Sequence, residues 1–385
     1  MSLTLFIISV LLVLWTVAGY PLLLAWRAGR SRMSLTTSDF TPTVTAIIPV
    51  HNGGRFLAAK LESVLGADYP PGRLDVLVVS DGSTDATDAI AAEWVARGHV
   101  RFLRLPKGGK AAALSAAFPM IGAEIVLLTD VRQRLEPDCI RNLTRCFADP
   151  TVGAASGTLK IRAGETAGEA STGLYWKYES WIRENLSRVD SVLGATGPIY
   201  AIRRSLVRSL PAGCILDDMW LPMQVVLDGH RAILAPDAVA WDYPTSLTSE
   251  FGRKVRTQAG LYQLLGFEKR LLDPSRNRLF GSFVNLKIFR LLLPYFLIVA
   301  LVSSCFLSPP WRAICLAAQA GFYGLAAIDS LLPDGHALKR ATAPLAAFVT
   351  LVSAAFVAQA IFFRDPASLW KTTEVRMTGP SEPRT

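Results

Sequence analysis

One uncharged run, LTLFIISVLLVLWTVAGYPLLLAW at positions 3–26, constrains this chain before any other feature does. Crossing about 30 Å of hydrocarbon takes roughly 20 apolar residues in a helix. In lipid such a segment satisfies its backbone polar groups only by coiling on itself. No basic segment precedes the run and no small-x-small site follows it, which sets it apart from a cleaved signal peptide. Arg27, Arg30 and Arg32 come directly after it. Cations of this kind favour the cytoplasmic side and its anionic headgroups, so the residues after about 27 are expected in the cytoplasm. Three more apolar stretches lie at about 288–307, 311–332 and 344–363. Counting spans from a cytoplasmic domain then puts the tail outside, yet the tail carries Arg364, Lys371, Arg376 and Arg384. The two rules disagree. Either one stretch, such as the last, is re-entrant or interfacial, or the tail is external.

Composition agrees with a membrane protein. Of the 385 residues, 51% are hydrophobic, too many for an ordinary soluble protein of this length. The net charge of +9 is spread without dense runs of cations, so lipid headgroups and not nucleic acid are the expected partner. Five cysteines show no paired spacing of a zinc or redox kind. A reducing compartment without a disulfide framework follows.

Between the spans the pattern changes. VTAIIPV (44–50), LDVLVVS (74–80), VRFLRL (100–105) and EIVLLTD (124–130) are compact apolar runs of strand length, separated by helix-like segments such as 85–96 and 137–147. Strands apolar throughout and spaced by helices predict an α/β fold with a mostly parallel sheet covered on both faces. Ligands of such sheets sit beyond the carboxyl ends of the strands. What stands there is HNGG after the first strand, DGSTD after the second and Asp130 after the fourth. Gly82 permits a tight turn, and Ser83, Thr84 or Asp85 can cap the next helix. Asp81, at the strand tip, suits hydrogen bonds from a ribose or base edge. Of the four histidines only His51 sits at a strand end, and none builds a metal cluster.

In this order AIIPVHNGG, VVSDGSTD, PKGGKAAALSAAF and VLLTD resemble the amino-terminal half of the family-2 glycosyltransferases. LGATGPIYAIRR (193–204), ILDDMWLPMQVVLDGHRAILAPDAVAWDYP and EFGRKVRTQAGLYQLL (250–265) resemble the second half. The match covers roughly 43–266, and its specificity lies in the ordered set. It implies a Rossmann-like glycosyltransferase-A domain that binds a nucleotide-sugar donor. The expected organisation is a transmembrane helix at 1–27, the cytoplasmic domain at 43–266, an interfacial segment at 267–287, two or three spans within 288–363, and a tail at 364–385. A multi-pass protein of the plasma (inner) membrane follows.

Glycosyl transfer needs charge stabilisation on the leaving diphosphate and the oxocarbenium-like sugar, and a base for the acceptor hydroxyl. By resemblance Asp218, the second acid of LDDMW, is the catalytic base, and Asp217 places acceptor or metal. Adjacent carboxylates raise each other's proton affinity, which suits a base. Gly197 belongs to the acceptor-side turn. Lys107 and Lys110 flank two glycines before a helix start, an arrangement unlike a Walker loop. Lys110 is a donor-site candidate, with a solvated surface lysine as the competing reading. Asp130 is the expected metal carboxylate for Mg²⁺ or Mn²⁺.

Two departures qualify the resemblance. The family pattern has a second acid two residues after Asp130, where this chain carries Arg132. One carboxylate with diphosphate oxygens and waters still suits Mg²⁺. Arg132 then either turns away or partly replaces the lost acid by neutralising phosphate. The Gln-x-x-Arg-Trp pattern of processive synthases becomes Arg253-Lys254-Val255-Arg256-Thr257, with only Arg256 kept. Nonprocessive transfer or a short product is expected. Arg253 and Arg256 contact either the diphosphate or lipid headgroups. The aromatic set Tyr175, Trp176, Tyr178 and Trp181 suits the core, the acceptor channel or the membrane interface.

The sequence therefore predicts a membrane-bound inverting glycosyltransferase acting on a lipid-linked or saccharide acceptor in cell-surface polysaccharide or glycolipid synthesis. Partner proteins of a polysaccharide synthesis system would fit beside it. The alternative is a catalytically impaired sensor or scaffold that binds a nucleotide sugar. A dinucleotide oxidoreductase is excluded, since no Gly-x-Gly-x-x-Gly follows the first strand.

Overall fold

The structure, a computed structural model, describes residues 1–31, 38–161, 168–243, 247–333 and 336–363, with the side chains of 168–175 and 247–250 also outside the description. Arg32, the side chain of Tyr175 and the tail cations Arg364, Lys371, Arg376 and Arg384 lie outside the described residues.

The chain opens with a long helix, α1 (Ser2–Arg30). An α/β unit follows: β1 (Val44–Val50), α2 (Gly54–Leu65), β2 (Leu74–Asp81), α3 (Thr87–Ala96), β3 (Arg101–Leu105), α4 (Lys110–Ala117), β4 (Ile125–Leu128), β5 (Arg134–Leu135) and α5 (Cys139–Thr144). Its second half runs through β6 (Val152–Ile161), α6 (Gly168–Val189), β7 (Tyr200–Arg203), α7 (Asp217–Leu227), β8 (Arg231–Asp242) and α8 (Leu247–Phe267). Three apolar helices close the described chain: α9 (Phe280–Ser304), α10 (Trp311–Leu331) and α11 (Lys339–Phe362).

The strands form one eight-stranded sheet in the order β3-β2-β1-β4-β7-β6-β8-β5. β3, β2, β1 and β4 run parallel, as do β6 and β8, while β7 is antiparallel to both its neighbours and β5 to β8. The sheet is mixed and mostly parallel. Successive strand residues point to opposite faces, and both faces are covered: Ile47, Leu77 and Val79 feed one core, Ala46, Ile48, Val76 and Val78 the other. That explains why these strands read as unbroken apolar runs. Order reverses between β1 and β4, so a crevice opens beyond their carboxyl ends.

Four helices are long and apolar enough to cross a membrane: α1, α9, α10 and α11. α1 and α9 lie antiparallel. Trp15 Nε1 donates to Asn285 Oδ1 at 2.6 Å, the Tyr20 and Ser282 hydroxyls are 2.9 Å apart, and Ser2 Oγ donates to the Phe306 carbonyl at 3.1 Å. α9 starts at Phe280, ahead of the apolar stretch read from the sequence, because Phe283 and Leu286 bury against the α/β core along with Leu271 and Leu279. Leu271, Asn277, Leu279, Phe283 and Leu286 of the expected interfacial segment are thus buried on protein.

Candidate active site

The turns beyond β1 and β2 are tied together. Asn52, at φ 50°, accepts on Oδ1 from Thr84 N at 2.8 Å, and its own amide donates to Ser83 Oγ at 3.1 Å. Gly82 sits at φ +61°, and a Cβ there would fall 2.7 Å from Lys107 N. The turn therefore needs glycine both for conformation and for close approach. Asp85 acts as a turn residue, accepting from Thr87 N and Gly54 N, each at 3.0 Å, while the N-cap position of α3 falls on Ala86 and not on the expected Ser83, Thr84 or Asp85. The buried Asp81 carboxylate accepts from Gly108 N at 2.6 Å and Gly109 N at 2.9 Å. It pins the PKGGK loop against the strand tip and so sets the start of α4.

That pinning aims Lys110, the first residue of α4, into the crevice. Its Nζ lies 2.9 Å from Asp130 Oδ1 and 3.2 Å from Asp217 Oδ2. Burial alone would favour the neutral amine, but Asp130, Asp217 and Asp218 outweigh it and hold the lysine pKa above its ordinary value. Lys110 is thus a bridge between the end of β4 and the start of α7. Asp217 also accepts from the Tyr200 hydroxyl at 2.7 Å, and Tyr200 is fully buried.

Asp218 follows on the first turn of α7 and faces the turn that carries Gly197. A Cβ on Gly197 would fall 2.8 Å from Asp218 Oδ2, so only glycine leaves the carboxylate its place. The backbone reinforces the contact, since Ala195 N donates to the Asp218 carbonyl at 2.6 Å. Burial, and then the neighbouring Asp217, push the Asp218 pKa up to about 7, with Lys110 opposing. A carboxylate that takes up a proton near neutrality is suited to general-base work.

Arg132 turns away from Asp130. Its Nε and Nη2 donate to Asp242 at 2.7 and 2.6 Å, a bidentate pair at the end of β8. Gln133 Nε2 adds a third bond to Asp242 at 2.9 Å. The loop between β4 and β5 is held from behind as well. Lys60 of α2, fully buried, donates to Thr129 Oγ1 at 2.6 Å and to the Gln133 carbonyl at 2.7 Å, and burial drives its pKa down to about 7. Asp130 therefore projects from a rigid turn.

The fit to a divalent cation follows from these contacts. Among the described residues no group of three or more His, Cys, Asp or Glu can hold a metal ion. Asp130 offers one hard carboxylate at the cleft edge. Mg²⁺ is often held by one or two carboxylates plus substrate phosphates and water, so the residues fit an ion that arrives with a diphosphate.

All eight residues singled out by sequence, Asp81, Lys110, Asp130, Gly197, Asp217, Asp218, Arg253 and Arg256, line one cleft of about 2000 Å³. The aromatic set divides. Trp176 lines the cleft, the Tyr178 hydroxyl donates to the Val17 carbonyl of α1 at 2.6 Å, and Trp181 packs on the core. Sequence reasoning missed Tyr200, Asp242, Lys60 and Arg183. A tyrosine opening a strand and an acid closing one were the available signals. The two cations carried none.

Residues 42–260 match the family described as "Glycosyltransferase like family 2". The chain belongs to glycosyltransferase family 2. Among curated relatives, an N-acetylglucosaminyltransferase of Rhizobium sp. (strain N33) is 32% identical over 225 residues, 54% of this chain and 49% of its own length. A poly-beta-1,6-N-acetyl-D-glucosamine synthase of Staphylococcus epidermidis is 22% identical over 229 residues, 58% of this chain and 55% of its own. This family-2 chain thus spans about half the length of the curated relatives it matches. The mannosyltransferase PcManGT from Pyrobaculum calidifontis, solved with GDP-Man and Mn2+, shares the fold at TM-score 0.72 and 23% identity, covering 92% of this chain and 98% of that one. The fold is the glycosyltransferase-A type.

Proposed function

We propose that this family-2 enzyme moves a sugar from a nucleotide donor to a hydroxyl of a lipid-linked or saccharide acceptor, inverting the anomeric centre at the cytoplasmic face of a membrane. The observation that carries this reading is Asp218: a carboxylate with a raised pKa, held by Gly197 at the edge of a cleft with room for two substrates. In the reaction Asp218 takes the proton of the acceptor hydroxyl. The freed oxygen bonds to the anomeric carbon as the bond from that carbon to the diphosphate oxygen breaks, and the electron pair leaves with the nucleotide. Asp81 and the turn at Asn52 form the nucleoside end. Lys110, Arg253 and Arg256 face the diphosphate, where their charge offsets the negative charge that develops. Asp217, fixed by Tyr200 and Lys110, orients the acceptor beside the base. A divalent ion bound through Asp130 and the diphosphate would act as a Lewis acid toward the leaving group.

The relatives' names make N-acetylglucosamine the first donor sugar to try. Four membrane-type helices and a cleft that reaches Leu351 of α11 support a membrane-bound acceptor. Nucleotide release by the purified chain in lipid, with and without Mg²⁺ or Mn²⁺, tests the reading. Asp218→Asn is expected to lower release by about 10²- to 10⁴-fold while donor binding persists. Unchanged release in that variant would remove Asp218 from the role of base.

A further inference from the structure

Asp130 and Asp218 belong to different halves of the cleft. Asp130 follows β4, and Asp218 packs on the turn that carries Gly197. That turn is fixed within its own half: Ala195 N donates to the Asp218 carbonyl at 2.6 Å, Thr196 N to Ser156 Oγ at 2.8 Å and Thr196 Oγ1 to the Gly157 carbonyl at 2.7 Å. The ladder between β4 and β7 ends at the pair Leu128 and Tyr200. Beyond it the crevice opens, and the ladder no longer sets how far Asp130 lies from the base.

Two side-chain bridges continue where the ladder stops. In front, Lys110 spans Asp130 and Asp217. It faces the side where the diphosphate enters, so its bonds are open to exchange with substrate. Behind, the Thr129 hydroxyl donates to the Pro198 carbonyl at 2.8 Å. Thr129 directly precedes Asp130, and Pro198 directly follows Gly197. At 1% exposure Thr129 is out of substrate's reach.

Lys60 sets the direction of that rear bond. An ammonium has donors only, so Thr129 Oγ1 accepts from Lys60 Nζ at 2.6 Å and its single hydrogen is left for Pro198. A second Lys60 donor holds the Gln133 carbonyl at 2.7 Å. The lysine thus grips both ends of the segment that carries Asp130. Among the described residues no carboxylate pairs with Lys60, Asp130 acting on it only through its field. A buried charge without an ion-pair partner is expensive, and replacing buried charge by well-packed apolar side chains is often neutral or stabilising. Stability alone does not account for an ammonium at this place.

We propose that Lys60 is a positioning residue for the transfer step: through the Thr129 hydroxyl it fixes the separation between Asp130 and the Gly197–Asp218 pair, and it touches neither substrate. The inference goes beyond the proposed function and rests on it, because the spacing matters only where a donor held near Asp130 meets a base at Asp218.

Nucleotide release by the full chain in lipid is compared for the wild type, Lys60→Met, Thr129→Val, Thr129→Ser and the double variant Lys60→Met/Thr129→Val, beside melting temperature and donor affinity. A misplacement on the order of 1 Å costs about 10²-fold in rate. Lys60→Met and Thr129→Val are expected to lose kcat by roughly that factor, with donor affinity within about twofold of wild type and the melting temperature close to it. Thr129→Ser keeps the hydroxyl and should keep most of the rate. The double variant should be no slower than the slower single variant, since both act along one path. A Lys60→Met rate equal to wild type would overturn the proposal. So would a double variant slowed by the product of the two single effects, because Lys60 would then act by its charge and not through Thr129. A rate lost only in step with the folded fraction would reduce Lys60 to a structural role. Should Lys60→Met fail to fold, equal rates in Thr129→Val and Thr129→Ser would overturn the proposal on their own. A wild-type chain that releases no nucleotide from any sugar donor brings down the proposed function and this inference together, whereas wild-type turnover with an unchanged Lys60→Met rate brings down this inference alone.

Discussion

Asp218 concentrates the chemistry of the cleft in one proton. A base must be ionised to act, and burial with Asp217 alongside raises its pKa to about 7. Turnover is therefore expected to fall about tenfold per pH unit below 7 and to level off above it. Lys110 opposes that shift, so Lys110→Met should move the acidic limb to higher pH, beyond any change in maximal rate. A pH profile of nucleotide release reads both, and a limb that stays put would show that Lys110 does not set the proton affinity of the base. Gly197 supplies a steric counterpart. Its Cβ in Gly197→Ala would meet Asp218 Oδ2 at 2.8 Å, and a short carboxylate side chain yields by rotating. A displacement on the order of 1 Å costs about 10²-fold in rate. The variant should lose turnover by roughly that factor, with the melting temperature and donor affinity close to wild type. Equal loss of donor affinity would mean that the turn, and not the acid, had been disturbed.

The elements that present these groups are braced by contacts far apart in the chain. Arg132 and Asp242 stand 110 residues apart and join the loop after β4 to the end of β8. Asp242 is only 3% exposed as a side chain and Arg132 18%. Arg132→Met leaves Asp242 nearly buried and without its bidentate partner, at a cost of about 3 kcal/mol. A thermal melt should show that loss, and Mn²⁺ affinity in the presence of nucleotide should stay within about twofold. A large drop in metal affinity would return Arg132 to the metal site. The same contacts explain what was legible in the sequence. Strand-end residues such as Asp81 and Asp130 announce themselves, because an apolar run ending on an acid before a glycine or turn has few readings. The ordered motifs around Asp217 and Asp218 did the same for α7. Lys60 and Arg183 sit inside helices, where a cation reads as a solvated face. Only the folded chain shows Lys60 buried under Thr129, or Arg183 aimed across Ser156. Register, too, was hidden: a one-residue change in pairing flips a strand's faces, and the antiparallel placement of β7 between β4 and β6 depends on long-range partners.

At the scale of the whole molecule, the conflict between span counting and tail charge turns on α11. Ala354 and Ala358 of α11 pack with Val255 and Ala259 of α8, and the Phe362 ring meets Tyr262 at 5.3 Å. α8 belongs to the α/β unit and carries Arg253 and Arg256 into the cleft, while Leu351 of α11 lines that cleft. A last helix that left the catalytic side would carry its end away from the catalytic unit. Here the end rests on it. Small alanines at the contact let the two backbones approach closely, which a helix bathed only in lipid does not require. The end of α11 is therefore expected on the catalytic side, with α1 and two of α9, α10 and α11 crossing. Three crossings then put residues after 363 on the same side as the catalytic unit, where the positive-inside rule wants their cations. Phe363 is 90% exposed, so Phe363→Cys offers a reporter once Cys305 and Cys315 are replaced by serine and alanine. In inside-out vesicles a membrane-impermeant maleimide should label it, and in right-side-out vesicles it should not. The opposite pattern would make α9, α10 and α11 all crossings and carry the end of α11 away from the side that holds the catalytic unit.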